Sequence, residues 1–353
     1  MTPLPFLRRA VAAVALSTLA AGAASAAEFG NISINGYGHQ SFVRNSANTW
    51  LGADKDGSFK DNIFSLVVSA KLDDRTRVWG QITANSGESF NIDWFYVDHS
   101  VTDTFSVRAG KVLAPLGFYN EIIDARFLQI STLLPQIYQP DTDIVDEAYG
   151  GVGGSWTVPL TRGKLAVDVY GGQIVEHAAV AASQKQKGLV GGRIDWHTPV
   201  DGLRLMASIA QKKQLVDGDP ADTTKNISIL SAGWNVGRWD LKAEYGRIAA
   251  SMNGLTSTTT ASYVQAGYSI SDSWVPFARY DVLRAPGYDS SNPATYQNIV
   301  ALGVTYRLNA NVAFRLENHF NSGYGAAVLS DETQAGRGTK TWQTLLASVA
   351  FIF

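Results

Sequence analysis

Apolar residues in this chain recur at every second position, in one segment after another, and that period leaves few folds open. In 341–353, Leu345, Ala347, Val349, Phe351 and Phe353 fall on one side of an extended chain. Phe64, Leu66, Val68, Ala70 and Leu72 repeat the pattern, as do Val78, Gly80, Ile82 and Ala84. It returns at Leu203, Leu205, Ala207 and Ile209, at Val300, Leu302, Val304 and Tyr306, and at Val312, Phe314 and Leu316. The opposite faces carry Arg77, Gln81, Thr83, Arg204, Ser208, Arg315, Glu317 and His319. Successive side chains of a strand point to opposite sides, so each segment reads as a strand with one apolar and one polar face. One such strand suits a soluble sandwich as well as a membrane barrel, and number and spacing must discriminate.

Strands are expected near 30–44, 59–72, 75–86, 90–100, 104–113, 147–158, 163–176, 187–198, 202–215, 225–235, 238–249, 261–271, 273–284, 296–308, 311–321 and 341–353, sixteen in all. An even number of strands, each long enough to cross a membrane obliquely, fits a bacterial barrel. The connections alternate in length. Short turns fall at Asp73-Asp74, 161–163, 199–202, Gly237, Ser271-Asp272 and Asn309-Ala310, and longer polar links at 45–58, 216–224, 250–260, 285–295 and 321–340. That asymmetry belongs to outer-membrane barrels, and it places both termini on the short-turn side. Trp79, Trp94, Trp156, Trp196, Trp239, Trp274 and Trp342, with Tyr37, Tyr268 and Tyr306, sit near strand ends, where interfacial girdles are expected. The expected fold is therefore all-β, a 16-stranded antiparallel transmembrane β-barrel.

The N-terminus supports an exported chain. Arg8 and Arg9 precede a small, apolar stretch from Ala10 to Ala24, and Ala24-Ser25-Ala26 supplies a cleavage pattern, so 1–26 reads as a secretory signal peptide. The barrel would then occupy 27–353. Removing two arginines leaves 27 basic against 31 acidic residues, a net charge of −4, which argues against nucleic acid as a partner. Charged residues make up 17% of the chain, below the roughly 25% of ordinary soluble domains. There is no cysteine, hence no disulfide, thiolate metal site or thiol nucleophile.

The longest stretch without alternation is 114–146, between the fifth and sixth expected strands. Phe118, Tyr119, Phe127, Leu128, Leu133, Leu134 and Tyr138 give it something to pack, Pro115, Pro135 and Pro140 divide it, and Glu121–Ile130 suits about two turns of helix. Loops of this length are usually functional. It carries Glu121, Asp124, Asp141, Asp143 and Asp146, with Glu147 at its exit and Arg126 as its one cation. By strand parity, Arg77, Arg108, Arg279 and Arg315 point inward. If the loop folds inward, an acidic edge faces a basic wall across a narrow lumen, where a transverse field favours polar solutes. Each arginine has an alternative role in stiffening the wall or pinning the loop.

The terminal Phe353, with alternating apolar residues behind it, resembles the C-terminal signature of bacterial outer-membrane proteins. Arg108-Ala-Gly-Lys-Val-Leu-Ala-Pro-Leu-Gly-Phe-Tyr-Asn120 is similar to a strand and loop of the phosphate-selective porin O/P superfamily. The resemblance implies a Gram-negative outer-membrane porin, a homotrimer of water-filled channels, each constricted by an inward-folded third loop. Arg77, Arg108, Glu121, Asp124, Arg126, Asp141, Asp143, Arg279 and Arg315 are the expected pore-lining residues. The expected partners are outer-membrane lipid and small hydrophilic solutes or ions, with no cofactor and no metal.

Two other readings stay open, a barrel enzyme with hydrolase chemistry and a soluble secreted β-sandwich. His39, His99, His177, His197 and His319 are scattered over the chain, and His39 shares a face with Ser41. His39 and His319 are close enough to the point of barrel closure to meet. No G-x-S-x-G or H-E-x-x-H pattern occurs. Non-enzymatic passage of solutes is the expectation.

Overall fold

A computed structural model describes residues 27–85, 89–174, 184–216 and 222–353; the expected signal segment and His177 lie outside these residues. A short strand β1 (Ala27–Phe29) folds back on the start of β2 (Ile32–Asn45). There follow β3 (Asn62–Lys71), β4 (Thr76–Asn85), β5 (Asn91–Ser100), β6 (Phe105–Leu113), β7 (Ala148–Pro159), β8 (Lys164–Ile174) and β9 (Gln184–His197). The second half comprises β10 (Leu203–Val216), β11 (Asp222–Val236), β12 (Trp239–Met252), β13 (Leu255–Tyr268), β14 (Trp274–Arg284), β15 (Tyr296–Arg307), β16 (Val312–Gly323) and β17 (Thr341–Ile352). From β2 onward each strand pairs antiparallel with the next. β17 returns to β2, with Ile352 opposite Tyr37 and Thr344 opposite Asn45. Sixteen strands thus close a barrel, and among the described residues no long sheet edge is left unpaired.

Strand parity sorts the side chains as the sequence pattern requires. Phe64, Ile82, Leu205, Ile209, Val300, Leu302, Phe314, Leu316 and Leu345 are exposed on the outside, while Ser65, Gln81, Thr83, Ser208, Arg315, Glu317 and His319 are buried within. At the short-turn end, Trp156, Trp196, Trp239 and Trp274 face outward, with Phe105 stacked on Trp156 at 4.2 Å and Tyr306 against Trp274 at 4.6 Å. Trp94, Trp342 and Tyr37 do not belong to that girdle. They lie on the inward parity of their strands and are almost fully buried, and Trp79 shares the inward face of Gln81 and Thr83.

Two connections differ from expectation. The link foreseen at 250–260 is mostly strand: β12 and β13 meet at Asn253 and Gly254, which have φ of 51° and 79°. Asn-Gly with both residues at positive φ makes a tight two-residue hairpin, and the polar but β-branched Thr256, Thr258, Thr259 and Thr260 extend the strand beyond its apolar part. The link after β16 holds a short helix, α1 (Gly325–Ser330).

Glycines set the shape of one wall. Gly110, Gly151 and Gly172 are in register across β6, β7 and β8. A Cβ on Gly151 would lie 2.1 Å from the Gly171 carbonyl oxygen, so these backbones approach more closely than any side chain permits.

Candidate functional site

After Leu113 the chain turns into the barrel, and residues 114–147 cross its interior before β7 begins. Of the residues expected to pack the segment, Tyr119, Leu133, Leu134 and Tyr138 are buried and Phe118, Phe127 and Leu128 are partly buried against them; Leu116, Ile130, Ile137 and Ile144 complete the buried set. Glycines on the wall make room for them. Phe118 lies over Gly233, Ile137 over Gly246 and Ile130 over Gly267, each within the space a Cβ would occupy or press against.

The foreseen two-turn helix over Glu121–Ile130 is replaced by two separate 3-10 turns, Asn120–Ile122 and Arg126–Leu128. The wall competes for the carbonyls that a helix would use. Arg315 on β16 donates to the carbonyl oxygens of Arg126 at 2.9 Å and Gln129 at 2.5 Å, while Gln129 turns its own amide to the carbonyl of Ile122 at 3.0 Å.

Along β12–β17 the loop is held by buried hydrogen bonds. Glu244 on β12 accepts four: from Ser231 at 2.5 Å, Tyr138 at 2.6 Å, Tyr263 at 2.8 Å and the Phe118 amide at 2.9 Å. Arg279 donates to the Leu133 carbonyl at 2.8 Å and to Ser131 at 3.0 Å, and pairs with Asp281 at 2.7 Å. Glu317 accepts from the Thr132 amide, Thr132 bonds Ser348 at 2.6 Å, and Thr305 donates to the Ile130 carbonyl at 2.7 Å.

Along β9–β11 the contacts are ionic. Arg193 bridges Glu121 at 2.5 Å and Asp168 at 2.9 Å. Lys212 meets Asp143 at 2.7 Å and Asp146 at 2.8 Å, and Lys225 meets Asp143 at 2.5 Å. Lys212 and Lys225 are directly opposite one another in the ladder. Like charges so placed repel, and the shared Asp143 carboxylate offsets that cost. Burial opposes the charge on Asp143, but the two lysines outweigh it and hold its pKa below the ordinary value.

The expected wall residues therefore have particular neighbours. Arg77 faces the lumen over Trp79 at 5.3 Å, with Ser69 3.4 Å away, and Arg108 pairs with Asp98 at 3.0 Å. Arg279 and Arg315 grip loop backbone rather than loop carboxylates. Arg126 leaves Nε and Nη1 buried without a hydrogen-bond partner, and Asp141 accepts from Ser330 of α1 at 2.6 Å. Asp124 lies beside Gln81 of β4, which donates to it at 3.1 Å, and forms no ion pair with the wall arginines among the described residues. The loop carboxylates Glu121 and Asp143 meet Arg193, Lys212 and Lys225, which the sequence reading did not single out. The alternation of Arg193 with Asp195, and of Lys212 with Ala210, places them inward, but the pairing is visible only once the register is known.

Among the described residues, the histidines do not assemble catalytic machinery. His39 and His319 pair with Ala350 and Thr344 of β17, six residues apart and therefore about 20 Å along the strand. His39 is 3.2 Å from Asp61, but no hydrogen bond joins the Ser41 hydroxyl to the His39 ring, whose Nδ1 is buried and unmet, so no nucleophile is bonded to that base.

No protein-family model matches the chain, and no curated protein sequence is similar to it. Solved structures are. The anion-selective porin from Comamonas acidovorans superposes with a TM-score of 0.64 at 14% identity, over 91% of this chain and 99% of that one. OmpF of Salmonella typhi, in complex with daunomycin, gives 0.61 at 12% identity, over 91% and 97%. The trimer form of OmpT, an outer-membrane protein of Vibrio cholerae, gives 0.58 at 10%, over 91% and 99%. The architecture is that of an outer-membrane porin barrel.

Proposed function

We propose that the protein is a porin of the Gram-negative outer membrane, through which small hydrophilic solutes and ions diffuse passively. One observation carries this reading: the barrel is apolar outside and charged inside, with the long loop 114–147 drawn across the lumen and bonded to the wall at many points. An apolar exterior with aromatic residues at one rim suits lipid, and a polar interior suits water. The loop narrows the path, so each channel passes small solutes and excludes large ones. Arg77, Arg108, Glu121, Asp124, Arg126, Asp141, Asp143, Arg279 and Arg315 belong to this constricted region, some as surfaces met by solute and others, Arg279 and Arg315 above all, as supports of the loop.

Residues 1–26 serve as the export signal and 27–353 as the mature barrel. The segment Arg108–Asn120 supports kinship with the phosphate-selective porin O/P superfamily, and that likeness together with the trimeric OmpT structure supports a homotrimer. No catalysis is assigned to the barrel. Reconstitution in a planar bilayer tests the reading: discrete, ohmic conductance steps are expected. Verified insertion without conductance would favour a barrel enzyme or a sealed barrel, and failure to partition into detergent would exclude a membrane protein.

A further inference from the structure

Three carboxylates meet where the loop touches β5. One oxygen each from Asp93, Asp124 and Glu147 lies within 4.8 Å of the others. Asp93 owes its place to a break in the ladder: Gln81 of β4 pairs with Trp94, whereas Ile82 pairs with Ile92, so Asp93 is an extra residue. Without that bulge its side chain would follow the outward parity of Phe95 and Val97; with it, Asp93 turns inward and is buried. Bulges re-aim side chains in this way.

The cluster has few donors of its own. The Gln81 amide nitrogen is shared between Asp93 at 2.7 Å and Asp124 at 3.1 Å. Arg126 and Lys111 act on the cluster through their charge, yet Arg126 forms no ion pair with it among the described residues. Burial and the Asp93 charge push Asp124 up to about 7.

An independent observation concerns Asn120, which is fully buried. Its amide nitrogen donates to the carbonyls of Ala114 at 2.8 Å, Asp146 at 2.9 Å and Glu147 at 3.1 Å. Three acceptors around one atom identify that atom as nitrogen and leave Oδ1 on the other side, where it has no partner. Oε1 of Glu147 is also buried without a partner. Asn120, Asp124, Glu147 and Gln81 line one cavity of about 20 Å³, room for a single ion or water. The Asn120 oxygen is an acceptor, and the Glu147 oxygen is one when that carboxyl is ionised, so an electropositive group suits both.

We propose that Asp93, Asp124 and Glu147, completed by the side-chain oxygen of Asn120, form a divalent-cation site of calcium type that clamps the middle and the exit of the loop to β5. Three atoms no more than 4.8 Å apart share a point at most about 2.8 Å from each; calcium takes oxygen ligands at roughly 2.3–2.6 Å in flexible geometry, whereas magnesium requires roughly 2.0–2.1 Å and a regular octahedron. Binding joins the two loop carboxylates to a wall carboxylate and removes their mutual repulsion.

The test is calorimetric titration of the folded, detergent-solubilised full chain with calcium chloride at pH 7.5, which does not depend on the channel conducting. The expected result is one calcium per chain with a dissociation constant on the order of 10⁻⁴–10⁻³ M, at least tenfold weaker in Glu147→Gln and lost in Asp124→Asn/Glu147→Gln. Heat-dependent gel migration verifies that each variant is folded, and the single variant suffices if the double one does not fold. Absence of binding to the wild type overturns the proposal. So does binding of equal strength in the variants, which would place the ion elsewhere. A loop that tightens on acidification and ignores calcium would also overturn it, because the carboxylates would then share a proton.

Discussion

The two sides of the lumen hold the same loop by different physics. Against β12–β17, Glu244, Arg279 and Arg315 are buried, and they bond hydroxyls and main-chain groups of the loop. Against β9–β11 the loop is held by ion pairs, and the side chain of Asp143, which two of them share, is 42% exposed. Buried hydrogen bonds are costly to leave unmade and insensitive to salt. Arg193 and Lys212 are themselves buried, so these pairs meet solvent chiefly at the Asp143 end; there salt, with a screening length of about 10 Å at 0.1 M, acts on the ion pairs more than on the buried hydrogen bonds. One side is therefore an anchor, and the other an adjustable clasp.

Breaking the anchor has the largest expected effect. Glu244→Ala removes the acceptor of four hydrogen bonds and strands buried donors on Tyr138, Tyr263, Ser231 and the Phe118 amide, at about 1–3 kcal/mol for each donor left unmet. The loop should detach, and single-channel conductance should at least double. Arg315→Lys comes next. A single ammonium cannot reproduce the planar guanidinium that serves the Arg126 and Gln129 carbonyls, so a smaller rise in conductance with greater current noise is expected.

Breaking the clasp should have a smaller effect, one that depends on conditions. Lys212→Met/Lys225→Met should shift the zero-current potential in a salt gradient toward cations, because Asp143 and Asp146 lose their partners. The shift should fade as ionic strength rises. In the wild type, 1 M salt should loosen 141–147 but not 130–138 in hydrogen-exchange measurements.

The smallest effect concerns pH, and it runs in opposite directions at two points of the loop. Asp143 has a depressed pKa, so its stabilising contribution is present above the unfolded value near 4 and disappears as pH falls through the folded one. Asp124 is raised to about 7, so its contribution is complete below about 4 and disappears as pH rises through 7. In calcium-free buffer, amide protection at 121–126, corrected for intrinsic exchange, should decline between pH 5 and 8, and Asp124→Asn should flatten that profile.

The barrel was legible because alternation is a local property. The faces of Phe64–Leu72 and Leu345–Phe353 follow from period two alone, and the closing pair β17–β2 joins the first and last full strands. The loop was legible as a gap in that period rich in residues that pack. What sequence could not show was who meets whom across the lumen. Arg315 and Asp124 both face inward, but one lies at β16 and the other against β4, a matter of loop path rather than pattern. Asp93 was hidden for a different reason: its strand parity is outward, and only the bulge turns it in. The 250–260 link was misread because threonines hide a strand whose turn, Asn253-Gly254, is plain.

The central claim, that the loop lies inside the barrel and is fixed to the far wall, can be tested covalently. The chain has no cysteine, and Thr132 and Ser348 touch through their hydroxyls at 2.6 Å, 216 residues apart in sequence. Thr132→Cys/Ser348→Cys should therefore form an intramolecular disulfide on mild oxidation of the folded barrel, detected as lost thiol labelling with a reductant-sensitive change in gel migration. Oxidation should leave conductance within experimental scatter of the wild type, since it locks a position already occupied. Two thiols that stay free and label readily with a polar maleimide would place the loop outside the lumen and contradict the account.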